Sequence, residues 1–295
     1  MIFPLVLLLS AQDAGDGVPD PLAAACSIMD GGSCEEAGLR YADGVQLERD
    51  PALAASLFGT GCEAKDAPSC IRLGLAYDKG LGVDRDAARA SFYFQRACDL
   101  GSATGCSNIG LSYVFGKGVQ KDEKQAAAYF LRSCDAGDKG GCANLATAYV
   151  KGIGVRRDRK RAVPLYEKAC TDGDSNACLN MGVLHEKGWG VGRAIAQAVR
   201  YYQKACDHDE GAACGNLGLL HDKGKIGARD SERAVTLFQQ GCAASDAESC
   251  FNLGQANLRG RGIVKDSVQG MSFIRRALDI DPAFKPAQRA LAKAT

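Results

Sequence analysis

Fourteen cysteines stand in two series that share one spacing. Cys26, Cys62, Cys98, Cys134, Cys170, Cys206 and Cys242 form the first, and Cys34, Cys70, Cys106, Cys142, Cys178, Cys214 and Cys250 the second. Every step in either series is 36 residues. A period of this length marks an array of supersecondary units, none of which buries its apolar face alone. The 295-residue chain is therefore read as a solenoid rather than as one or two globular domains.

Between the cysteines the copies agree. In the copy that begins at Cys142, Asn144, Leu145, Ala146 and Tyr149 lie on an expected first helix, ended by Gly152 and Gly154. Val155 and Asp158 follow, and a second helix carries Ala162, Tyr166 and Ala169 up to Cys170. An earlier copy fills the same positions with Leu73, Gly74, Tyr77, Gly80, Gly82, Val83, Asp86, Ala90, Phe94 and Ala97. Small residues at the Gly74 and Ala97 positions admit close helix contact, with Tyr or Phe opposite. The glycine pair supplies positive φ at the helix end, and the aspartate opens the second helix. Residues 24–285 are expected to form the array, with seven full units from Cys34, and 286–295 a capping helix.

Two pairings are open to the cysteines: partners 8 apart across a turn, or partners 28 apart at one end of a hairpin. The second strands Cys26 and Cys250, because Leu278 stands 28 positions after Cys250. The first leaves none over, so Cys26–Cys34 and its six successors are expected to be bonded. Each closes a ring of about nine residues, worth roughly 2.5 kcal/mol by loop entropy. The C-x7-C spacing is not that of zinc sites, and the chain has only 3 histidines.

Cysteines in regular pairs suit an oxidising compartment. The opening MIFPLVLLLSAQ has the length of a signal-peptide apolar core, although it lacks the basic n-region and a clean A-x-A site. Residues 1–11 are accordingly expected to be a signal peptide and 12–23 a flexible lead-in, and the protein to be secreted or periplasmic. Net charge is +1, so no global field recruits nucleic acid or acidic lipid. Beyond the N-terminus there is no apolar run long enough to span a membrane. A monomer is expected.

The unit, L-G-x-x-Y-x-x-G-x-G-V-x-x-D-x-x-x-A, resembles the Sel-one-like repeat, a longer relative of the tetratricopeptide repeat. With paired cysteines in every unit, the chain is similar to the secreted Helicobacter cysteine-rich protein (Hcp) family from Ala24 to Ala277. The resemblance implies an all-α, right-handed α/α solenoid of tetratricopeptide-like hairpins, disulfide-stapled. Departures fall on the Asp position of the fifth unit, Ala194, and on the sixth unit, where GKIGA at Gly224–Ala228 shifts a glycine by one. The first unit has Gln46 and Leu47 where Gly and Val belong, and the seventh replaces Cys by Leu278 and Ala by Gly270. Irregular end units fit capping. In the tail, Lys285, Arg289 and Lys293 are expected along a solvated face, with Ala287, Ala290, Leu291 and Ala294 sealing the last unit.

Catalytic motifs are missing. His185-Glu186 has no second histidine in register, there is no G-x-S-x-G, and the Gly110–Lys117 stretch is one residue too long for a phosphate loop. The Hcp resemblance implies penicillin binding with weak β-lactamase activity, yet no Ser is followed three places later by Lys and K-T-G is absent. No cofactor is expected. His185 and His221 both replace the Tyr of the first helix; stacked helices lie about 9–10 Å apart, too far for two rings to share a metal. They are read as packing residues. His208 lies in an acidic loop with Asp207, Asp209 and Glu210, and Trp189 lies in a turn, as an exposed anchor or a loop plug.

The remaining pattern is a ladder. Asn108, Asn144, Asn180, Asn216 and Asn252 each stand two residues after a second cysteine. Glu36 and Arg72 hold that position in the first two units, and seven positions after it come Lys79, Lys151, Lys187, Lys223 and Arg259, with Asp43 and Phe115 as exceptions. Both rows fall near one helix face, the concave side in tetratricopeptide-like arrays. Asn offers a donor and an acceptor to a main chain, and Lys attracts carboxylates. The competing structural reading has Asn bonding the adjacent unit and Lys suiting the helix dipole. The expected function is an exported scaffold binding a protein or peptide partner; the alternatives are a β-lactamase-type enzyme and an assembly factor carrying metal or haem.

Overall fold

The structure, a computed structural model, describes Ala23, Cys26, residues 31–44 and residues 47–292. The expected leader over 1–11, nearly all of the lead-in, Gln46, Lys293 and Ala294 lie outside the described residues. Among the described residues there are fifteen α-helices and no strand. The chain divides into two compact units, Met1–Ala136 and Gly137–Thr295.

The first unit holds three helical hairpins: α1 (Gly31–Asp43) with α2 (Pro51–Glu63), α3 (Ala67–Lys79) with α4 (Ala87–Asp99), and α5 (Ala103–Phe115) with α6 (Glu123–Asp135). The second holds four: α7 (Lys139–Lys151) with α8 (Arg159–Thr171), α9 (Ser175–Lys187) with α10 (Ile195–Cys206), α11 (Gly211–Asp222) with α12 (Ser231–Ala243), and α13 (Ala247–Arg259) with α14 (Ser267–Ile280). A last helix, α15 (Lys285–Ala292), packs on α14. Ala287 on α15 is fully buried, with Ala290 and Leu291 beside it against the α12–α14 core.

Local chemistry starts and stops each helix. Asp86 accepts from the Ala88 and Arg89 amides at the start of α4, and Asp50, Asp122 and Asp158 do the same for α2, α6 and α8. Ala194 leaves α10 without a side-chain cap. The first helices end on left-handed Gly80, Gly116, Gly152, Gly188 and Gly260. The second glycine of the turn serves a different contact. A Cβ at Gly82 would overlap the Pro51 carbonyl, so this turn lies on the start of the preceding second helix. In the sixth unit α11 stops at Asp222, and the positive φ values fall on Gly224 and Gly227.

Packing inside a hairpin follows the small-against-aromatic rule. A Cβ at Gly74 would meet the Phe94 ring at 2.6 Å, and at Gly110 the Phe130 ring at the same distance. Where Ala146 replaces the glycine, Tyr166 fills the space, and its hydroxyl lies 2.7 Å from Thr147 Oγ1. Six bridges join cysteines 8 apart, Cys26–Cys34, Cys62–Cys70, Cys98–Cys106, Cys170–Cys178, Cys206–Cys214 and Cys242–Cys250. Cys134 and Cys142 are disulfide-bonded as well. The bridges Cys62–Cys70, Cys98–Cys106, Cys170–Cys178, Cys206–Cys214 and Cys242–Cys250 each span the turn from one hairpin to the next, and a residue in that turn takes positive φ: Lys65, Gly101, Gly173, Asp209 or Ser245.

Candidate binding face

The ladder residues lie on first helices two turns apart, hence on one side of each helix. In the second unit Asn144, Asn180, Asn216 and Asn252 are half-buried, and Lys151, Lys187, Lys223 and Arg259 are exposed. Lys223 stands just past the end of α11, in its cap. In the first unit Asn108 is half-buried, Lys79 exposed, and Phe115 is 67% exposed. The rows therefore differ in access: amides sit in the surface and cations stand on it.

One place on this face is hollow. A cavity of about 240 Å³ is bounded by α11, α12 and α13, with Leu219, Phe238 and Phe251 as apolar wall and Asn252, Gln255 and Arg259 as polar rim. The Asn252 Nδ2 is buried there without a hydrogen-bond partner. A buried unpaired amide donor carries a desolvation cost of about 1–3 kcal/mol, which is removed if the amide turns outward to an accepting ligand. Asp222 also lines the cavity; it accepts from Arg261 at 2.7 Å, Arg229 at 3.2 Å and Ser231 at 3.2 Å. With its carboxylate committed to two guanidiniums, the site has a surplus of donors and positive charge.

Lys187 is engaged within the protein. It pairs with Glu186 at 3.1 Å, and Glu186 also accepts from the Tyr202 hydroxyl at 2.9 Å. Burial alone would raise the Glu186 carboxyl, but Tyr202 and Lys187 outweigh it and hold it below the usual range. The Tyr202 phenol is pushed up by burial and by the Glu186 charge.

His185 sits in a packing position. His185 stacks on Tyr201 at 5.5 Å between centroids, as Tyr77 stacks on Tyr93 at 5.7 Å in the first unit. Burial lowers the affinity of His221 for a proton. In the His208 loop, Asp209 takes positive φ, and burial, with Asp246 and Asp174 nearby, raises the Glu210 carboxyl. Among the described residues no group of three or more His, Cys, Asp or Glu is placed to hold a metal. Trp189 is both exposed and braced: 37% of it is accessible, and the Arg159 guanidinium lies 4.1 Å above the ring.

Sequence reasoning missed the Asp222–Arg261 and Arg159–Trp189 pairs. The first had a readable trace, an acid on a first helix followed by a base one repeat and three residues later. The same offset links Asp78 to Lys117 at 4.0 Å in the first unit.

Seven consecutive segments, residues 33–66, 67–102, 103–138, 140–174, 175–210, 211–246 and 247–280, match the Sel1 repeat. The chain belongs to the Sel1 repeat family and is a helical scaffold of that class. Among solved structures, the uropathogenic Escherichia coli protective antigen c5321, which displays an SLR fold, is 25% identical at a TM-score of 0.73. That match covers 90% of this chain and 56% of the antigen, so the chain spans little more than half of that relative. A Sel1 repeat protein from Oxalobacter formigenes is 23% identical at a TM-score of 0.73, over 92% of this chain and 78% of its own. Helicobacter pylori cysteine rich protein B is 31% identical over 46% of this chain and 97% of its own, at a TM-score of 0.37. No curated protein matches the chain.

Proposed function

We propose that the protein is an exported scaffold whose first-helix face, in the second unit, holds an extended segment of a partner protein. The observation that carries this reading is the cavity at α11–α13, where the buried and unpaired Asn252 Nδ2 meets the exposed Arg259. With the Asn252 amide turned outward, a main-chain carbonyl or carboxylate would satisfy both donors, and the apolar wall would take a side chain. Bonded cysteines throughout agree with an oxidising compartment outside the cytosol.

Immobilised protein, offered a random peptide library, should retain a subset of sequences. Asn252→Ala with Arg259→Glu should reduce that retention at least tenfold, and the Asn144, Asn180 and Asn216 triple alanine variant should weaken it with helical content unchanged. Equal retention by these variants would refute the reading. Turnover of a chromogenic β-lactam by the purified protein would do so as well.

A further inference from the structure

A net charge of +1 conceals one concentrated patch. Lys151, Arg156, Arg157, Arg159, Lys160 and Arg161 stand within eleven residues, with Asp158 as the one acid among them. The turn before α8 reads RRDRKR at 156–161. Its counterparts read DRDAAR at 84–89, QKDEKQ at 120–125, GRAIAQ at 192–197, ARDSER at 228–233 and VKDSVQ at 264–269. None of these carries more than two cations.

Folding does not account for the patch. Asp158 is occupied in capping α8, through the Lys160 and Arg161 amides, and in a 3.6 Å ion pair with Arg161. Arg156, Arg157 and Lys160 are exposed and make no ion pair among the described residues. Three cations in the first turn of α8 also oppose the helix dipole, which favours acids there. Arg159 is held differently. Its guanidinium covers Trp189, its Nε is buried without a partner, and the Gly190 backbone lies against its carbonyl. An exposed indole is thereby fixed beside unpinned cations.

We propose that this turn, with Trp189 beside it, docks the protein on a surface of anionic phospholipid headgroups. Long cations that no neighbour orients suit diffuse negative charge better than a partner that must meet a preset fork of donors. An indole with an apolar body and one N–H rests at headgroup depth. The surface is separate from the α11–α13 cavity, so one reading can fail without the other.

The chain has a single tryptophan, so its emission reports this site directly. Full-length, disulfide-bonded protein is mixed with vesicles of phosphatidylcholine, with or without phosphatidylglycerol, and both sedimentation and emission are followed. The expected result is co-sedimentation and a blue shift with the anionic vesicles alone, both lost near about 0.5 M salt. Arg156→Glu, Arg157→Glu and Lys160→Glu together should cut partitioning by roughly 100-fold or more, at about one decade or a little less per cation. If that variant misfolds, Arg156→Gln with Lys160→Gln should still weaken it about thirtyfold. Asn252→Ala should partition as the wild type does. The proposal is overturned by equal behaviour with neutral and anionic vesicles, by undiminished partitioning of a folded charge variant, or by capture of soluble polyglutamate without vesicle binding.

Discussion

The Arg261 guanidinium donates to the Asp222 carboxylate at 2.7 Å across 39 positions of chain, tying the turn after α13 to the end of α11. Burial alone would raise the Asp222 carboxyl, but the Arg229 hydrogen bond, the Arg261 charge and the Ser231 hydroxyl hold it below the usual range. A depressed carboxyl contributes stability above its unfolded pKa, near about 4, and loses it as pH falls through the lower folded value. Asp222→Asn should therefore be less stable than wild type by about 1 kcal/mol at pH 7, a modest figure because Arg261 is partly exposed. Urea midpoints measured from neutral pH downward should converge below about pH 4. A gap that persisted there would mean the pair is not the cause.

At the start of α10, Ala194 holds the position that Asp158 and Asp230 hold for α8 and α12, and no side chain caps the helix. Its backbone is already extended, with φ −146° and ψ 92°, close to the −149° and 93° of Asp158. Ala194→Asp should stabilise the protein by roughly 0.5–1.5 kcal/mol, with slower amide exchange at the first turn of α10. An unchanged melting temperature and unchanged exchange would contradict this.

Between Cys62 and Cys70 the turn places a lysine, Lys65, at φ 64°, where the next turn has Gly101 at φ 92°. Left-handed backbone costs a non-glycine residue about 1 kcal/mol or slightly more. Lys65→Gly should raise the unfolding free energy and Gly101→Ala should lower it, each by about 1 kcal/mol, read from denaturation curves. Because a Cβ at Gly101 meets nothing within 4 Å, its loss would be conformational and not steric. Crystal structures of both variants should show the turns unmoved.

What could be read from the chain was whatever repeats. Asp86 and Asp158 were legible as helix starts because a cap acts over two or three residues. Gly74 opposite Phe94 was legible because a missing side chain in one copy and a ring in the same hairpin recur together. The relationships that escaped depend on partners in different copies. Gly270 reads only as a lost alanine, yet a Cβ there would meet Leu258 at 2.8 Å, and Leu258 stands where Asp222 and Glu186 stand in earlier units. Glu210 looks like a cap and makes no side-chain cap bond, whereas the shorter Asp174 and Asp246 do at the same position. Which amide of the ladder is left unpaired was equally hidden, since the Asn252 environment is set by Phe251, Gln255 and the neighbouring hairpin.

The bridges join cysteines that are consecutive in the chain, 8 positions apart, so none encloses another. A polypeptide threading outward from its N-terminus meets the two members of a pair one after the other, before any member of the following pair emerges. Oxidation in order of emergence would therefore form each native linkage before a competing cysteine of the following pair is present.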